Sequence, residues 1–352
     1  MLFATEKFNM YKRYLLLALS CLTLMVAKGQ DPQFSQFYAA PLYLNPAFAG
    51  AALAPRVTAN YRNQWPNITN YVTTLVGVDH YFERYKSGVG LLLQSDNQGQ
   101  GRLRSTDIGL QYSYQLQVSE QTFVRLGLQG SYVNRTVDWF GLTFGDQLTN
   151  QGPTGGPTQE PIIQNGSPTL KFLDFSTGGL VYSDWYWLGI SAHHLNRPSL
   201  AFTGGDPTRL PTKFSVHTGL RIPFAGYTGL ADEINREKTI SPAINYRRQG
   251  KYDQLDVGVY LTYSPMTIGT WYRGLPLKKY APSIPNHDAL VFLVGFRQDN
   301  FSIGYSYDTT ISTLGPASGG AHEISLSYTF ENFPPQRTRP RRKDKQLSCP
   351  KF

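Results

Sequence analysis

Cysteine is nearly absent from this chain. Of its 352 residues only Cys21 and Cys349 are cysteines, and Cys21 falls inside an apolar leader that we expect to be removed. One cysteine then remains in the mature protein, which excludes an internal disulfide framework. Cys349 either pairs with a partner protein in an oxidising compartment or stays as an exposed thiol close to the C-terminus.

An apolar run long enough for a membrane-spanning helix is also missing near the start. The run from Leu15 to Ala27 falls short of the roughly 20 residues that such a helix needs. Two basic residues precede it, and a small-x-small pattern ending at Gly29 follows it. This order predicts a cleaved signal peptide over residues 1–29. Met10 is an alternative start, because the residues before it add nothing that an export signal requires.

Charge is scarce, and its excess of one sign is confined to the two ends. The formal net charge is +9, of which residues 1–29 carry three and residues 331–352 carry five, so that residues 30–330 are left with +1. A nearly neutral body excludes a basic nucleic-acid-binding surface. The tail, residues 331–352, is expected to extend into the periplasm as a flexible arm that contacts a partner. Its candidate partner-binding residues are Arg337, Arg339, Arg341, Arg342, Lys343, Lys345 and Cys349.

The chain is rich in strict alternation of apolar and polar residues. In the stretch from Ala321 to Phe330 every second side chain is apolar and the others are polar. Segments of this kind recur at about the 9 to 11 residues that a tilted strand needs to cross a bilayer. The 23 tyrosines suit the aromatic girdles of outer-membrane barrels. The sequence therefore predicts an all-β fold, a transmembrane antiparallel β-barrel over residues 55–330.

Fourteen strands are predicted, an even number that places both ends of the barrel on the periplasmic side. Ahead of them, residues 30–54 are aromatic-rich without any period, and we expect an irregular segment at the periplasmic mouth or in the lumen. The predicted strands are Arg56–Asn63, Tyr71–Phe82, Gly88–Ser95, Thr106–Val118, Thr122–Asn134, Phe172–Ser183, Trp185–Asn196, Lys213–Pro223, Thr239–Arg248, Tyr252–Tyr263, Thr267–Arg273, Asp288–Arg297, Phe301–Thr310 and Ala321–Phe330.

The alternation also predicts which side chains meet lipid. Leu110 and Val257 belong to apolar sets that face outwards, whereas Lys213 and Arg221 must face the lumen, since a cation on the lipid face is costly. Short connections are assigned to the periplasmic side and long ones to the cell surface. Two connections break this rule, a long periplasmic one from Phe224 to Lys238 and a short outward one from Gln249 to Lys251. The longest, from Arg135 to Lys171, is either a functional surface loop or disordered.

Candidate catalytic and metal-binding residues are few. His193 and His194 are adjacent, but neighbours in a strand point to opposite faces and do not share one ion. Asp79-His80 and His287-Asp288 suggest acid/base pairs of a barrel hydrolase, yet no serine stands with them in a nucleophile motif. We therefore expect a protein that is not an enzyme and has no metal or cofactor.

Several short motifs resemble one known family. Asp31-Pro32-Gln33-Phe34-Ser35-Gln36-Phe37-Tyr38, then Leu44-Asn45-Pro46-Ala47-Phe48-Ala49-Gly50 and Tyr61-Arg62-Asn63-Gln64-Trp65, resemble the opening of the PorP/SprF family of Bacteroidota outer-membrane proteins. Weaker pieces follow in the same order, including Phe144-Gly145-Asp146-Gln147 and His322-Glu323-Ile324-Ser325-Leu326. The resemblance spans residues 30–330 and leaves out the basic tail.

This resemblance implies an outer-membrane barrel of the type IX secretion system that is not an enzyme. It also implies partners: outer-membrane lipid, a secreted cargo protein with a C-terminal sorting domain held at the cell surface, and periplasmic or lipoprotein components of the machinery. In gliding relatives the cargo is a large adhesin. The alternative from another class is a passive porin or small-solute channel, which the small polar residues on the lumenal face permit.

Overall fold

The computed structural model describes residues 31–69, 71–99, 103–161, 163, 166–202, 208–224, 237–281 and 284–330. The chain divides after Pro32 into two units, and the second begins at Gln33. The proposed signal peptide and the basic tail lie outside the described residues.

The second unit contains a closed antiparallel barrel of fourteen strands, which confirms the predicted fold class. Each strand pairs with its neighbours along the chain, and the first pairs with the last. Residues Ile222–Pro223 continue the eighth strand and pair with the ninth. The strands are β1 Arg56–Gln64, β2 Tyr71–Phe82, β3 Ser87–Gln98, β4 Leu103–Gln117, β5 Phe123–Thr136, β6 Thr169–Tyr182, β7 Tyr186–His193, β8 Lys213–Leu220, β9 Lys238–Gln249, β10 Tyr252–Tyr263, β11 Met266–Ala281, β12 Ile284–Gln298, β13 Phe301–Thr310 and β14 Ala321–Thr329.

The two ends of the barrel differ in their connections. At one end, here called the turn end, β10 and β11 are joined by two residues and β12 and β13 by two more. At the other end, the loop end, residues 137–168 join β5 to β6 and residues 194–212 join β7 to β8. β1 begins at the turn end and β14 finishes there, since Arg56 pairs with Thr329. Bacterial outer-membrane barrels place their short turns on the periplasmic side and their longer loops outside.

Two strand pairs are longer at the loop end than the sequence predicts. β3 and β4 continue through the polar stretch after Ser95 and pair out to Gln98 and Leu103. β11 and β12 likewise form a hairpin that runs past Arg273, with register shifts in its outer part. Backbone pairing needs no alternation of side chains, so these polar ladders leave no signal in the apolar pattern.

The wall has an apolar outer face and a polar inner face. Leu110 and Val257 are 67% and 41% exposed on the outside, whereas the neighbouring Gln111 is buried inside. The predicted assignment of these faces is therefore confirmed. The Lys213 ammonium lies in the lumen over the Tyr43 ring, 4.8 Å from its centroid.

Arg221 lies at the turn end, where it follows β8. Its guanidinium forms an ion pair of 2.9 Å with Glu237, and both side chains remain 37% exposed. The inward direction predicted for this cation thus brings it to the rim of the barrel, where its charge is paired and stays in contact with water.

Leu110→Lys is expected to destabilise the barrel by about 2 to 4 kcal/mol, because it places a cation on the lipid face in the middle of β4. Equilibrium unfolding by denaturant from lipid vesicles measures the change. Leu148→Lys is the matched control, since Leu148 is 55% exposed in the loop after β5, and it should change stability by less than about 0.5 kcal/mol. Equal effects of the two variants would contradict the assignment of the lipid face.

Across the described ranges, helical structure is limited to short pieces. α1, Pro41–Leu44, and the 3-10 turn Pro46–Phe48 precede the barrel strands. Further 3-10 turns lie in the connections, at Glu83–Tyr85, Trp139–Gly141, Gly145–Gln147 and Pro316–Ser318. In the described part of the chain no helix has the length and apolar character needed to span a bilayer.

Candidate functional site: the lumenal segment and the long loop

Residues 33–54, the lumenal segment, lie inside the barrel. Their course runs from the loop-end half of the lumen to the turn end. Gln33 accepts a hydrogen bond of 3.2 Å from Arg247, close to the loop end of β9. Gly50 donates one of 2.8 Å to Asp79, close to the turn end of β2. The chain then enters β1 at Arg56.

Glu323 holds the backbone of the outer part of this segment. Its carboxylate accepts hydrogen bonds from the backbone N–H groups of Ser35, at 2.7 Å, and Gln36, at 3.0 Å. The Gln36 side chain donates to the backbone carbonyl of Glu323 and accepts from the Ser325 hydroxyl. Two consecutive residues of the segment are thus bound to β14 through main chain and side chain together.

A network of buried ion pairs surrounds these contacts. Arg62 pairs with Asp308 at 2.8 Å and with Glu323 at 3.1 Å. Arg273 pairs with Asp308 and with Asp256, each at 2.8 Å. The Ser35 hydroxyl connects them, because it donates to Asp308 and accepts from both arginines. The lumenal charge cluster consists of Arg62, Arg247, Arg273, Asp256, Asp308 and Glu323.

Three guanidinium groups and three carboxylates are paired in this cluster, and a fourth carboxylate, Asp288, lies 4.0 Å from Arg273 at its more exposed edge. Charges so deeply buried are tolerated only when they are paired and hydrogen-bonded. Arg62 and Arg273 belong to β1 and β11 and are 2% exposed. Because the Ser35 hydroxyl bonds to both of them and to Asp308, the cluster is complete only when the lumenal segment is in place.

Glycines on the inner wall leave room for the inner part of the segment. A Cβ at Gly127 would lie 2.3 Å from the backbone nitrogen of Ala47, and a Cβ at Gly88 would lie 2.0 Å from the carbonyl oxygen of Ala49. A third, at Gly178, would lie 2.0 Å from Asn45 Oδ1. Real side chains do not approach so closely, so the segment lies where β3, β5 and β6 carry no side chain.

Asn45 explains part of the motif that begins at Leu44. Its side-chain amide donates to the carbonyl oxygens of Gly179, at 3.1 Å, and Ile190, at 2.9 Å. Its Oδ1 accepts from the N–H of Ala47, which caps the 3-10 turn. One asparagine therefore shapes the turn and fastens it to β6 and β7.

Arg125 of β5 fastens the residues after this turn. Its guanidinium donates to the carbonyl oxygens of Ala47, at 3.2 Å, and Ala49, at 2.5 Å. The Ser113 hydroxyl donates to the same oxygen of Ala49 at 2.6 Å. The arginine is fully buried. Because it bonds to backbone carbonyls of the segment, these contacts depend on the course of the segment's main chain and not on the side chains it carries.

Aromatic side chains fill the middle of the lumen. Tyr38 accepts a hydrogen bond of 2.7 Å from the Trp187 indole nitrogen and meets that ring edge to face. Phe37 packs on Trp271 with the ring centroids 4.8 Å apart. Rings that bury apolar area and contact each other edge to face stabilise a closed interior. The lumenal segment thus supplies two of these four rings.

The long loop, residues 137–168, is folded over much of its described length. The Val137 N–H donates to the Pro168 carbonyl at 2.9 Å and closes its base. Residues Leu148–Thr149 and Gly152–Pro153 form a small antiparallel ladder. Of the two alternatives left open by its sequence, a functional loop and a disordered one, the described part agrees with an ordered loop.

Asp146 and Gln147 brace this loop. Asp146 accepts hydrogen bonds from the Thr158 hydroxyl, at 2.8 Å, and from the backbone N–H of Gln159. Gln147 accepts from the N–H of Phe144 and donates to the Gly156 carbonyl at 2.6 Å. The hydrogen bond from Gln159 lowers the pKa of the Asp146 carboxyl, and the one from Thr158 adds to this effect.

Asp146→Ala is expected to raise amide hydrogen exchange several-fold in residues 144–159 without changing that of the barrel strands. The variant removes the acceptor that joins the two sides of the loop. Because the pKa of Asp146 is lowered in the folded loop, its contribution to loop order is present above the ordinary pKa and is lost as the pH falls through the lowered one. Unchanged exchange in Asp146→Ala, or a loop that opens at neutral pH, would contradict this role.

The two Asp/His pairs identified from the sequence have side chains that point apart. Asp79 faces the lumen and pairs with Arg56 at 2.9 Å, while His80 is on the opposite face of the strand. On β12, His287 contacts the Tyr272 hydroxyl and Asp288 lies near Arg273. Neither pair brings its carboxylate and its imidazole together.

The side chains of the adjacent histidines His193 and His194 also lie in different environments. His193 ends β7 and is buried, whereas His194 has φ of 58° and its Nδ1 lies 2.9 Å from Asp174. Among the described residues no group of three or more His, Cys, Asp or Glu side chains is arranged to hold a metal ion. The predicted tail residues, Arg337 to Lys345 and Cys349, fall outside the described residues, so their role stays a prediction.

The geometry defines an outer-membrane β-barrel whose lumen is occupied by a segment of its own chain. A family described as "Type IX secretion system membrane protein PorP/SprF" matches residues 26–328. The chain belongs to this family, as its motifs predict, and it is therefore a membrane protein of type IX secretion. No curated protein matches the sequence.

Solved barrels resemble the fold only distantly. The toluene transporter TbuX of Ralstonia pickettii is 11% identical, with 83% of this chain and 94% of that one covered and a TM-score of 0.45. A FadL homologue of Pseudomonas aeruginosa is 13% identical, with the same coverage and a TM-score of 0.42. The toluene transporter TodX of P. putida is 11% identical, with 81% and 92% covered and a TM-score of 0.41. At these identities and scores the likeness gives no information on function.

Proposed function

We propose that this barrel serves as a closed platform in the outer membrane on which type IX secretion holds one secreted cargo protein at the cell surface. The cargo's folded sorting domain docks on the loop end, and the turn end with the basic tail contacts the periplasmic machinery. The observation that carries the proposal is the combination of an occupied lumen with an ordered long loop in a member of the PorP/SprF family.

The occupied lumen favours this role over a passive porin. The segment contacts residues from all around the wall, among them Asp79 on β2, Arg125 on β5, Arg247 on β9 and Glu323 on β14. A solute channel needs a continuous water-filled path, whereas in this barrel an aromatic layer lies across the middle of the lumen. A platform requires no such path, because its partners approach from the two ends.

The ordered loop supplies a surface suited to a protein partner. Loops positioned by a rigid scaffold commonly carry binding functions. The tip of the long loop is exposed, and Leu148 presents an apolar side chain there. A loop braced by Asp146 and Gln147 loses little conformational entropy when it binds, which favours affinity.

Replacing residues 144–159 by a flexible glycine-serine linker is the test. The barrel should still insert and show its heat-dependent gel mobility, while co-purification of secreted surface protein from the native membrane should fall to background. Asp146→Asn serves as a control that keeps the loop's length and shape but weakens its bracing, and an intermediate loss is expected. Undiminished co-purification with the linker variant would contradict docking on this loop.

Deletion of residues 336–352 should leave the barrel inserted but reduce co-purification of periplasmic partners, because it removes the basic arm. A matched variant keeps the full length and replaces the six arginines and lysines from 337 to 345 by glutamine, which isolates the effect of charge. Cys349→Ser, analysed on a non-reducing gel, isolates a covalent link. Unchanged co-purification after the deletion would refute the tail's role.

A further inference from the structure

A polar patch interrupts the outer face of the barrel at the loop end of β1 to β5. One cross-strand row there consists of Asn63, Val72, Asn97, Arg104 and Thr136, each paired with the next. Alternation along the strands places all of them on the outside of the wall, because Arg62 and Asp96 next to them are buried inside. Four of the five side chains are polar.

The neighbouring row towards the turn end is polar as well. It consists of Tyr61, Thr74, Ser95, Thr106 and Asn134, again paired in this order. The row below it on the same strands is apolar and includes Leu93 and Ile108, both more than 40% exposed. The polar patch therefore begins where the lipid-facing band ends and lies at the level of the outer-leaflet headgroups.

Several polar atoms of this patch have no partner among the described residues. Asn63 Oδ1, Ser95 Oγ and Asn134 Oδ1 are shielded from water and make no hydrogen bond within that part of the chain, and neither does Thr69 Oγ1 in the loop between β1 and β2. Most buried polar atoms in folded proteins are hydrogen-bonded, and one left without a partner is costly. Four such atoms lie at one outward patch, so a polar ligand bound there would satisfy them once their side chains rotate towards it.

A groove runs through the patch. Its volume is about 1020 Å³, and Arg104, Asn97, Asn67 and Tyr61 are among its lining residues. Arg104 is exposed, as is the Tyr61 ring. An arginine fork matches the oxygens of a phosphate, asparagine amides bind sugar hydroxyls, and an exposed aromatic ring packs on the apolar face of a sugar.

We propose that this groove binds the phosphorylated sugar headgroup of an outer-leaflet glycolipid. Arg104 pairs with the phosphate, while the amides of Asn63 and Asn97 and the hydroxyls nearby contact the sugar. The acyl chains then lie along the apolar rows below, which continue the lipid-facing surface without a break. Because the lining residues Asn63, Asn97 and Arg104 face outwards from the wall, a membrane lipid reaches the groove by lateral diffusion.

Native mass spectrometry of the full protein in nanodiscs tests this proposal. The discs contain phosphatidylglycerol together with diphosphoryl lipid A in one arm and dephosphorylated lipid A in the other. The wild type should retain one diphosphoryl lipid A in preference to phosphatidylglycerol. Arg104→Gln should lower that preference roughly ten- to hundredfold, the expected effect of losing a charged hydrogen bond. Millimolar inorganic phosphate should not displace the bound glycolipid.

Arg84→Gln is the matched control, because Arg84 is an exposed arginine at the turn end whose guanidinium lies over the Tyr85 ring. It should retain lipid A as the wild type does. Asn63→Ala provides a second variant within the groove and should weaken retention of both forms of lipid A, whereas Arg104→Gln should weaken only the phosphorylated one. Equal retention of phosphatidylglycerol and lipid A, or equal loss in Arg84→Gln and Arg104→Gln, would overturn the proposal.

Discussion

Gly127→Leu is expected to displace the lumenal segment and turn a closed barrel into one that conducts ions. The new side chain would occupy the position of the backbone at Ala47, whose nitrogen lies only 2.3 Å from where a Cβ would be. Overpacking of this kind costs about 1 to 3 kcal/mol even where neighbours are able to shift. Single-channel recording in planar bilayers measures the result: the wild type should stay at the closed level and the variant should show long-lived open events.

Gly130→Leu on the same strand is the matched control. Gly130 points outwards, and a Cβ there would lie 3.7 Å from the Phe175 ring, at ordinary contact distance. This variant should insert normally and remain closed. A steady conductance in the wild type would favour the porin alternative, and a closed Gly127→Leu barrel of native stability would mean that the segment does not lie against β5.

Arg62→Ala is expected to lower the free energy of unfolding by about 3 to 5 kcal/mol, the cost of leaving a buried ion partner uncompensated. The variant leaves the carboxylates of Asp308 and Glu323 with less positive charge nearby and removes a donor to Ser35. Denaturant unfolding in lipid vesicles provides the measurement. Limited proteolysis should in addition cut the displaced segment near Gln36, which is fully buried in the wild type.

Arg221→Ala is the matched control, because it removes an arginine from an ion pair that is much less buried than those of Arg62. Both side chains of the ion pair between Arg221 and Glu237 are 37% exposed, and solvent-exposed pairs contribute about 0 to 1 kcal/mol. If the lumenal charge cluster holds the segment, the two variants should therefore differ widely in stability. Similar losses in both, or no new cleavage near Gln36 in Arg62→Ala, would show that the cluster does not hold the segment.

The wall of the barrel was predictable from sequence because its signal is local. Alternation depends on neighbouring residues only, and it predicted β10 and β13 with the bounds that the structure has. Where polar residues continue a ladder, as in β3 after Ser95, the pattern is silent and the strand is underestimated. Backbone pairing there is set by the partner strand, which no local window contains.

The contacts of the lumenal segment were not predictable in the same way. Ser35 and Glu323 are 288 residues apart, and the segment has no period that would align it with the wall. A signal was nevertheless present. Some inward-facing positions of the strands are charged, such as Arg62 and Asp308, and buried charges need partners. Others, such as Gly127, have no side chain. Charged residues and glycines at inward-facing positions of the strands therefore indicate that something occupies the lumen.

The pairing of β1 with β14 closes the barrel, and the lumenal segment is bound to both of these strands. Arg62 belongs to β1 and Glu323 to β14, and Ser35 contacts both. The contacts that keep the lumen occupied are therefore also contacts across the junction of the first and last strands. Occupancy of the interior and stability of the closed cylinder are thus energetically coupled, so that a change which weakens one is expected to weaken the other.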